Sequence, residues 1–492
     1  MKRVPSGIIP VISIDRKSAD ALYQQIYDAY RAAIVGRTLR PGQRVPSTRM
    51  LAEELGISRI PILNAYSQLL AEGYFESRVG SGTVVSRSLP DQSPAPHVRS
   101  ARPEKPKPEA RRISKRTTAV DKNIPWHRGW GPFGVSQVAF EHFPFPVWNR
   151  LITRQSRHSS AKALDYGDAL GLKRLRTTVA NYVRTARGVR CEDEQIMIVS
   201  GSQQALEIAT RVLLDPGDSV WMEDPGYRFA YRVFGFHGCK VVPVPVDHDG
   251  LNVEAGIRSA RQARAALVTP SHQYPMGVTM SASRRLQLLA WAEQAGSWVI
   301  EDDYDSEYRY ESMPIASLQG LDHHARVIYI GTFSKVLFPS LRLGYIVIPA
   351  DLVEAFLAVR LSMDIGPSHF FQAVLADFIG EGHFSRHIRR MRVVYGERRS
   401  ALMESIRKEF GSAAEVTGGQ AGMHLSMALS GIRDREIAAR AADENLWLVP
   451  LSSSYLTKPQ RPGFILGFGS TSAEQMPAAV RRLSTFVRQF RS

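Results

Sequence analysis

GTFSKVLFPSLRLGY, residues Gly331–Tyr345, sets a lysine between two apolar runs. Val327–Ile330 (VIYI) reads as a strand leading into Lys335, and Tyr345–Ile348 as a second strand just after Arg342. An ammonium in such surroundings is costly to desolvate without a partner. Burial lowers the pKa of a lysine and lets it act as an amine that forms a Schiff base with an aldehyde. The guanidinium of Arg342 and the hydroxyls of Thr332 and Ser334 suit a phosphate dianion. Lysine, hydroxyls and phosphate-binding arginine together describe an anchor for pyridoxal 5'-phosphate (PLP). A surface loop with ordinary charges has the same composition, so the decision rests on the rest of the chain.

At 492 residues the chain exceeds one domain by the usual length prior, and its 44% hydrophobic content is that of an ordinary soluble protein. No apolar run approaches the ~18 residues that suggest a membrane span. The N-terminus, MKRVPSGIIPVISI, has no small-residue cleavage site and reads as no signal peptide. Cys191 and Cys239 stand far apart without metal-ligand spacing, which predicts reduced thiols in a cytoplasmic protein and no metal centre. The net charge of +16 is uneven: residues 1–86 carry 11 Lys/Arg against 7 Asp/Glu, and residues 87–118 carry 9 against 3. A basic excess at that end points to a polyanionic partner.

Asp15 to Gly36 carries apolar residues at Leu22, Ile26, Ala29, Tyr30, Ala33 and Ile34, the spacing of an amphipathic helix closed by Gly36. A Pro41-Gly42 turn follows. Ser47 is placed to cap a helix over Thr48–Leu55, Gly56 breaks it, and Ser58 is placed to cap a third helix from Arg59 to about Glu72. Helix, Gly-containing turn, helix is the helix-turn-helix pattern, whose second helix enters the DNA major groove. FESRVGSGTVVS then reads as a two-stranded hairpin, a wing. From LYQQIYDAYRAAIVGRTLRPGQRVPSTRMLAEELGISR to the wing, the words closely resemble the GntR-type winged helix. By that resemblance Arg49, Ser58 and Arg59 match DNA-contacting positions and Gly80 the wing tip, with Arg44 and Asn64 as neighbours. Ile60-Pro61-Ile62 departs from the family's small polar residues, so readout there is either apolar, toward a thymine methyl, or missing.

Residues 87–124 are proline-rich and basic with few large apolar side chains, which reads as a semi-extended linker between a domain at 1–86 and another at 125–492. Beyond it, strand-like runs alternate with amphipathic helices, arguing for an α/β fold with a mainly parallel sheet and functional loops at the carboxyl ends of its strands. Ile196–Val199 runs into Ser200-Gly201-Ser202-Gln203 and a helix, a phosphate-binding arrangement. Tyr227 follows a strand in EDPGY, and Trp298–Ile300 runs into Glu301-Asp302-Asp303-Tyr304-Asp305. An acidic cluster there is either a capping site or a carboxylate that keeps a pyridine nitrogen protonated, which makes PLP an electron sink. Tyr304 is placed to donate to the ring oxygen.

From about Pro125 onward these pieces resemble the fold-type I PLP enzymes, the aspartate-aminotransferase superfamily. The resemblance makes Lys335 the Schiff-base lysine and sets Tyr227 on the ring. Ser202, Gln203, Thr332 and Arg342 become phosphate ligands, and Asp302 the pyridinium partner, with Asp303 as its rival. The family's NPTG asparagine falls on Tyr274, leaving His272 or Gln273 to take its place. In the family's FRLSFA strand an arginine grips the substrate carboxylate; here FILGFG puts Ile465 there, with Arg461 nearby. That exchange predicts poor binding of ordinary α-amino acids and a gain of affinity for Ile465→Arg. A GntR-type winged helix joined to an aminotransferase-like domain is the layout of the MocR-type transcriptional regulators. The resemblance implies a PLP-dependent regulator that binds operator DNA, senses PLP or an amine or amino-acid effector, and forms a head-to-tail homodimer. The alternative is an active aminotransferase with a DNA-binding attachment.

Overall fold

The computed structural model describes residues 12–78, 82–88, 114–118, 129–157, 165–310 and 315–490. The chain divides into two compact units, Met1–Arg112 and Ile113–Ser492. Most of the expected linker, 87–124, lies outside the described residues, as does Gly80.

In the first unit α1 (Leu22–Val35), α2 (Thr48–Leu55) and α3 (Arg59–Ala71) precede the strands β1 (Phe75–Arg78) and β2 (Gly82–Val85). The strands pair antiparallel, Phe75 opposite Val85. Ile26, Leu51, Ile62, Leu69 and Val85 are fully buried and close one core. Tyr30, Tyr66 and Phe75 meet edge to face at its centre. Burial of the Tyr66 ring is tolerated because its hydroxyl donates to the Pro46 carbonyl at 3.0 Å. The first helix starts at Leu22, the first residue of its apolar spacing, and the residues from Asp15 to Ala21 stay outside it. Asp15 accepts from the Lys17 N–H, Ser18 accepts from the Asp20 N–H, and Gln25 bonds the Asp15 backbone. Such local side-chain bonds offer the backbone an alternative to the helix. Ser47 caps α2 by accepting from the Met50 N–H, whereas Ser58 stands at the cap position of α3 without a side-chain cap bond.

The second unit carries an eight-stranded sheet in the order β3-β10-β9-β8-β7-β4-β5-β6. Its strands are β3 (Ile196–Val199), β4 (Ser219–Asp224), β5 (Lys240–Asp247), β6 (Gly250–Leu251), β7 (Ala265–Val268), β8 (Trp298–Asp303), β9 (Val327–Thr332) and β10 (Gly344–Val347). The run β5-β4-β7-β8-β9 is parallel throughout, β10 is antiparallel to both neighbours, and β6 is antiparallel to β5. Strands such as IMIV and VIYIGT are buried along their whole length, as expected of a sheet covered on both faces. A second, antiparallel sheet follows, ordered β11-β12-β14-β13, from β11 (Ala414–Thr417), β12 (His424–Leu429), β13 (Val449–Pro450) and β14 (Gly463–Gly467). Cys191 and Cys239 are free and buried. Among the described residues no helix is long and apolar enough to cross a membrane.

Candidate functional site

Lys335, Asp302, Tyr304, Tyr227, Ser202, Gln203, Thr332 and Arg342 all line one cavity of about 390 Å³. They come from four places in the chain: the turn after β3, the turn after β4, the end of β8, and the β9–β10 connection. In a parallel sheet the carboxyl ends of neighbouring strands lie side by side, and their loops converge there.

One end of the cavity suits a dianion. Gly201, at φ +96°, opens the helix Ser202–Leu213. The first N–H groups of a helix lack intrahelical acceptors, and its dipole favours negative charge there. Arg342 lies so close that a Cβ on Gly201 would sit 3.5 Å from its Nη1. Thr332 Oγ1 accepts from the Ser334 N–H at 3.2 Å, shaping the lysine turn, and Gln203 Nε2 donates to the Tyr227 hydroxyl at 3.2 Å.

At the other end Lys335 meets carboxylates. Its ammonium is pushed down to about 8 by burial, against the pull of Asp305 and Asp302. Asp302 is pushed up to about 7, first by burial and next by the charge of Asp303, while Lys335 pulls the other way. The β8 strand continues through Asp303 rather than ending at Ile300 as the apolar run predicts. Successive side chains of a strand point to opposite faces, so the two aspartates part company. Asp303 is used up inside the protein. It pairs with Arg187 Nε at 2.8 Å and accepts from the Tyr329 hydroxyl at 2.6 Å. Asp302 lines the cavity, and its Oδ1 has no hydrogen-bond partner among the described residues. A buried carboxylate oxygen left open beside a buried amine fits the protonated ring nitrogen and the aldehyde of PLP, and the cradle at Gly201 and Arg342 fits its phosphate.

Other expected partners lie elsewhere. Tyr304 lines the cavity, but its hydroxyl donates to the His272 carbonyl at 2.9 Å. Gln273 is consumed by Glu223, the Pro225 carbonyl, the Tyr274 carbonyl and the Met276 N–H. His272 Nδ1 bonds Asp305 at 3.0 Å, and neither His272 nor Gln273 lines the cavity. Ile465 is fully buried in an apolar cluster with Met276, Val449, Leu451 and Tyr455, behind the cavity-lining Tyr274. Ile465→Arg would thrust a guanidinium into that cluster, so the gain of affinity expected from sequence is corrected to a loss of stability. Arg461, the nearby cation, pairs outside with Glu415 at 2.8 Å.

Sequence reading did not find His424, which also lines the cavity, because it opens β12 far along the chain from the other groups. Asp305 stood within the acidic run, yet only the bend after β8 turns it toward Lys335. His272, Asp305 and His424 bring ligand atoms within 4.8 Å of one another. Asp305, however, already accepts from both His272 Nδ1 and the Met423 N–H.

In the winged-helix unit Arg44, Arg49, Ser58, Arg59 and Asn64 are all exposed. Arg59 Nε donates to Thr48 Oγ1 at 2.9 Å, tying the start of α3 to the start of α2. The Ile60-Pro61-Ile62 departure splits in two. Ile62 is core, while Ile60 is 67% exposed, one helical turn before Asn64.

Residues 131–483 match the family "Aminotransferase class I and II", and residues 22–85 match "Bacterial regulatory proteins, gntR family". The chain is 39% identical to the probable rhizopine catabolism regulatory protein MocR of Rhizobium meliloti, over 96% of this chain and 95% of that one. It belongs to the MocR-type transcriptional regulators. It is also 32% identical to the HTH-type transcriptional regulator TauR of Rhodobacter capsulatus, over 95% of this chain and 97% of that one. The crystal structure of Pyrococcus horikoshii kynurenine aminotransferase in complex with PMP superposes with a TM-score of 0.71 at 27% identity, covering 77% of this chain and 97% of that one. This MocR-type protein is therefore a PLP-dependent, DNA-binding transcriptional regulator, its aminotransferase fold joined to a GntR domain.

Proposed function

We propose that this regulator holds PLP through Lys335 and Asp302, with the phosphate on Ser202, Gln203, Thr332 and Arg342, Tyr227 against the ring and Tyr304 beside it. The observation that carries this reading is the Lys335 amine, held near pKa 8, in one cavity with the open Oδ1 of Asp302. PLP bound there supplies a carbonyl able to capture an amine. The protein's own residues supply orientation, a dry pocket and a lysine that is partly neutral near pH 8. The effector is PLP itself or an amine presented to it. Its binding acts on transcription by favouring one of two arrangements of the domains, through its differential affinity for them. A head-to-tail homodimer, implied by the family resemblance, would present two winged helices to a two-fold operator.

On the DNA side, Arg49 and Arg59 are the proposed principal contacts, with Arg44, Ser58, Asn64 and the Gly80 wing tip around them. Their exposure on and beside two adjoining helices supports the reading. Arg49→Ala and Arg59→Ala are expected to weaken operator binding and leave cofactor absorbance intact. A base-reading arginine would account for about 1–3 kcal/mol. A phosphate-binding one would instead lower the salt slope. Sequencing the DNA fragments retained by the purified protein, with and without PLP, supplies the operator for this measurement. Parental affinity and salt dependence in both variants would place the DNA-reading surface elsewhere.

A further inference from the structure

Helix α3, the second helix of the helix-turn-helix, opens with Arg59-Ile60-Pro61-Ile62-Leu63-Asn64. Ile62, Ala65, Tyr66 and Leu69 bury one face of it in the core of the first unit. The opposite face is turned away from that core, yet it is not wholly polar. Ile60 is 67% and Leu63 41% exposed, and the exposed Asn64 and Ser67 share their side of the helix. Pro61 falls in the first turn, where its missing N–H costs no intrahelical bond. Ile60 is β-branched and has one preferred rotamer in a helix, so ordering it against a ligand loses little freedom. A singly exposed aliphatic side chain is ordinary on a protein surface. The surroundings of this pair are what select an occupant.

Those surroundings are basic. Arg59 stands beside Ile60, its Nε given to Thr48 Oγ1 at 2.9 Å, and Arg49 on α2 and Arg44 before it are exposed. Arg44 forms an antiparallel bridge to Val84, and a Cβ on Gly82 would lie 3.2 Å from its Nη2, so its guanidinium lies along the wing strand β2. Helix α3 itself holds no carboxylate. An apolar protein partner would leave the guanidinium groups of Arg44, Arg49 and Arg59 to be desolvated without counter-charge, whereas a polyanion pairs with them. The apolar group that DNA offers in its major groove is the 5-methyl of thymine, and the adenine paired with it presents the donor and acceptor that an asparagine amide matches.

Resting on the DNA-reading surface proposed above, we infer that Ile60, flanked by Leu63, packs on the 5-methyl group of a thymine in the operator and makes that base pair a point of specificity. Removing the methyl group takes away the contact and leaves the isoleucine against a gap. The contact carries no charge, so it adds sequence preference without adding to the salt dependence that phosphate-binding arginines set.

The test uses PLP-loaded full-length protein and the operator duplex recovered from retained DNA fragments, with each thymine replaced in turn by deoxyuridine, which lacks the methyl group and keeps the pairing. Wild-type affinity is expected to fall about fourfold at the contacted thymine, the equivalent of about 0.8 kcal/mol for one buried methyl group. Ile60→Ala should bind the thymine and deoxyuridine duplexes alike at that position, with the wild-type salt slope and thermal midpoint, and Ile60→Val should keep most of the discrimination. Binding of an unrelated duplex should be the same in wild type and Ile60→Ala. No loss at any deoxyuridine position, or the same loss in Ile60→Ala, would overturn the inference, while weakened binding by Arg59→Ala would keep the DNA-reading surface where it is placed. A lowered thermal midpoint in Ile60→Ala with unchanged affinity for every duplex would show that this face packs on protein, and would overturn the inference as well. Parental affinity in Arg49→Ala, Arg59→Ala and Ile60→Ala alike would remove the surface and the inference together.

Discussion

Lys335→Ala is expected to lose the visible absorbance band of the lysine-linked cofactor and the adduct that borohydride fixes to the chain. The loss should be complete rather than graded, because Lys335 is the lysine lining the cavity and the opposed carboxylates face that amine. Binding of PLP need not vanish with it. The phosphate end at Gly201, Ser202 and Arg342 does not use the Lys335 side chain, so the variant should still retain PLP that dialysis removes. In wild-type apo-protein the rate of linkage should climb as pH rises through about 8, where burial has set the lysine, because the neutral amine is the nucleophile. Stopped-flow absorbance after PLP addition measures this. A borohydride-stable adduct in Lys335→Ala would move the attachment to another amine, and a pH-independent rate would remove the buried-lysine argument.

The two adjacent aspartates should part in opposite directions. Asp303→Ala strips the counter-charge from Arg187, whose partner it is in a pair with both side chains 3% exposed. Breaking a buried pair leaves the surviving charge uncompensated and costs about 3–5 kcal/mol. The Ser271 and Ile315 bonds of Arg187 cannot neutralise that charge. Denaturant unfolding of the apo-protein should register the loss as a lower midpoint with an unchanged slope. Asp302→Asn should leave the apo-protein at least as stable. The folded pKa of Asp302, about 7, lies above the unfolded carboxylate value, so this group's stabilising contribution is full at low pH and lost as pH rises through 7. Above that pH the charged, desolvated carboxylate is a burden that asparagine lacks. The holo-protein should tell the other half: Asp302→Asn is expected to shift the cofactor spectrum and weaken PLP retention. If instead Asp302→Asn unfolds the protein while Asp303→Ala alters only the spectrum, the two roles are exchanged.

Much of this was legible from local chemistry. GTFSKVLFPSLRLGY held its lysine and arginine in one turn, and the helix-turn-helix showed itself through apolar spacing, Ser47 and Gly56. Both rest on interactions within a few residues, and short-range geometry is fixed by residue type. The run EDDYD was legible as acidic but not as divided labour. The apolar run stops at Ile300, while the strand's hydrogen bonding with β9 carries on through Asp302 and Asp303. Ser58 illustrates the opposite error: a residue of the capping type at the capping position whose side chain makes no such bond.

The sequence by itself determined the two-part organisation, the strand-and-helix alternation and the setting of a lysine and an arginine between two buried strands, because periodicity, turn chemistry and charge type are local properties. The tertiary structure alone decided that Asp302 and not Asp303 faces the cavity, since the choice lies in which face of β8 meets Arg187, a residue 116 positions away. It alone withdrew Gln273 and Arg461 from the site, by giving them partners distant in sequence. And it alone brought His424 to the wall beside Lys335, because β12 lies far along the chain and only the packing of the second sheet sets its start against the lysine.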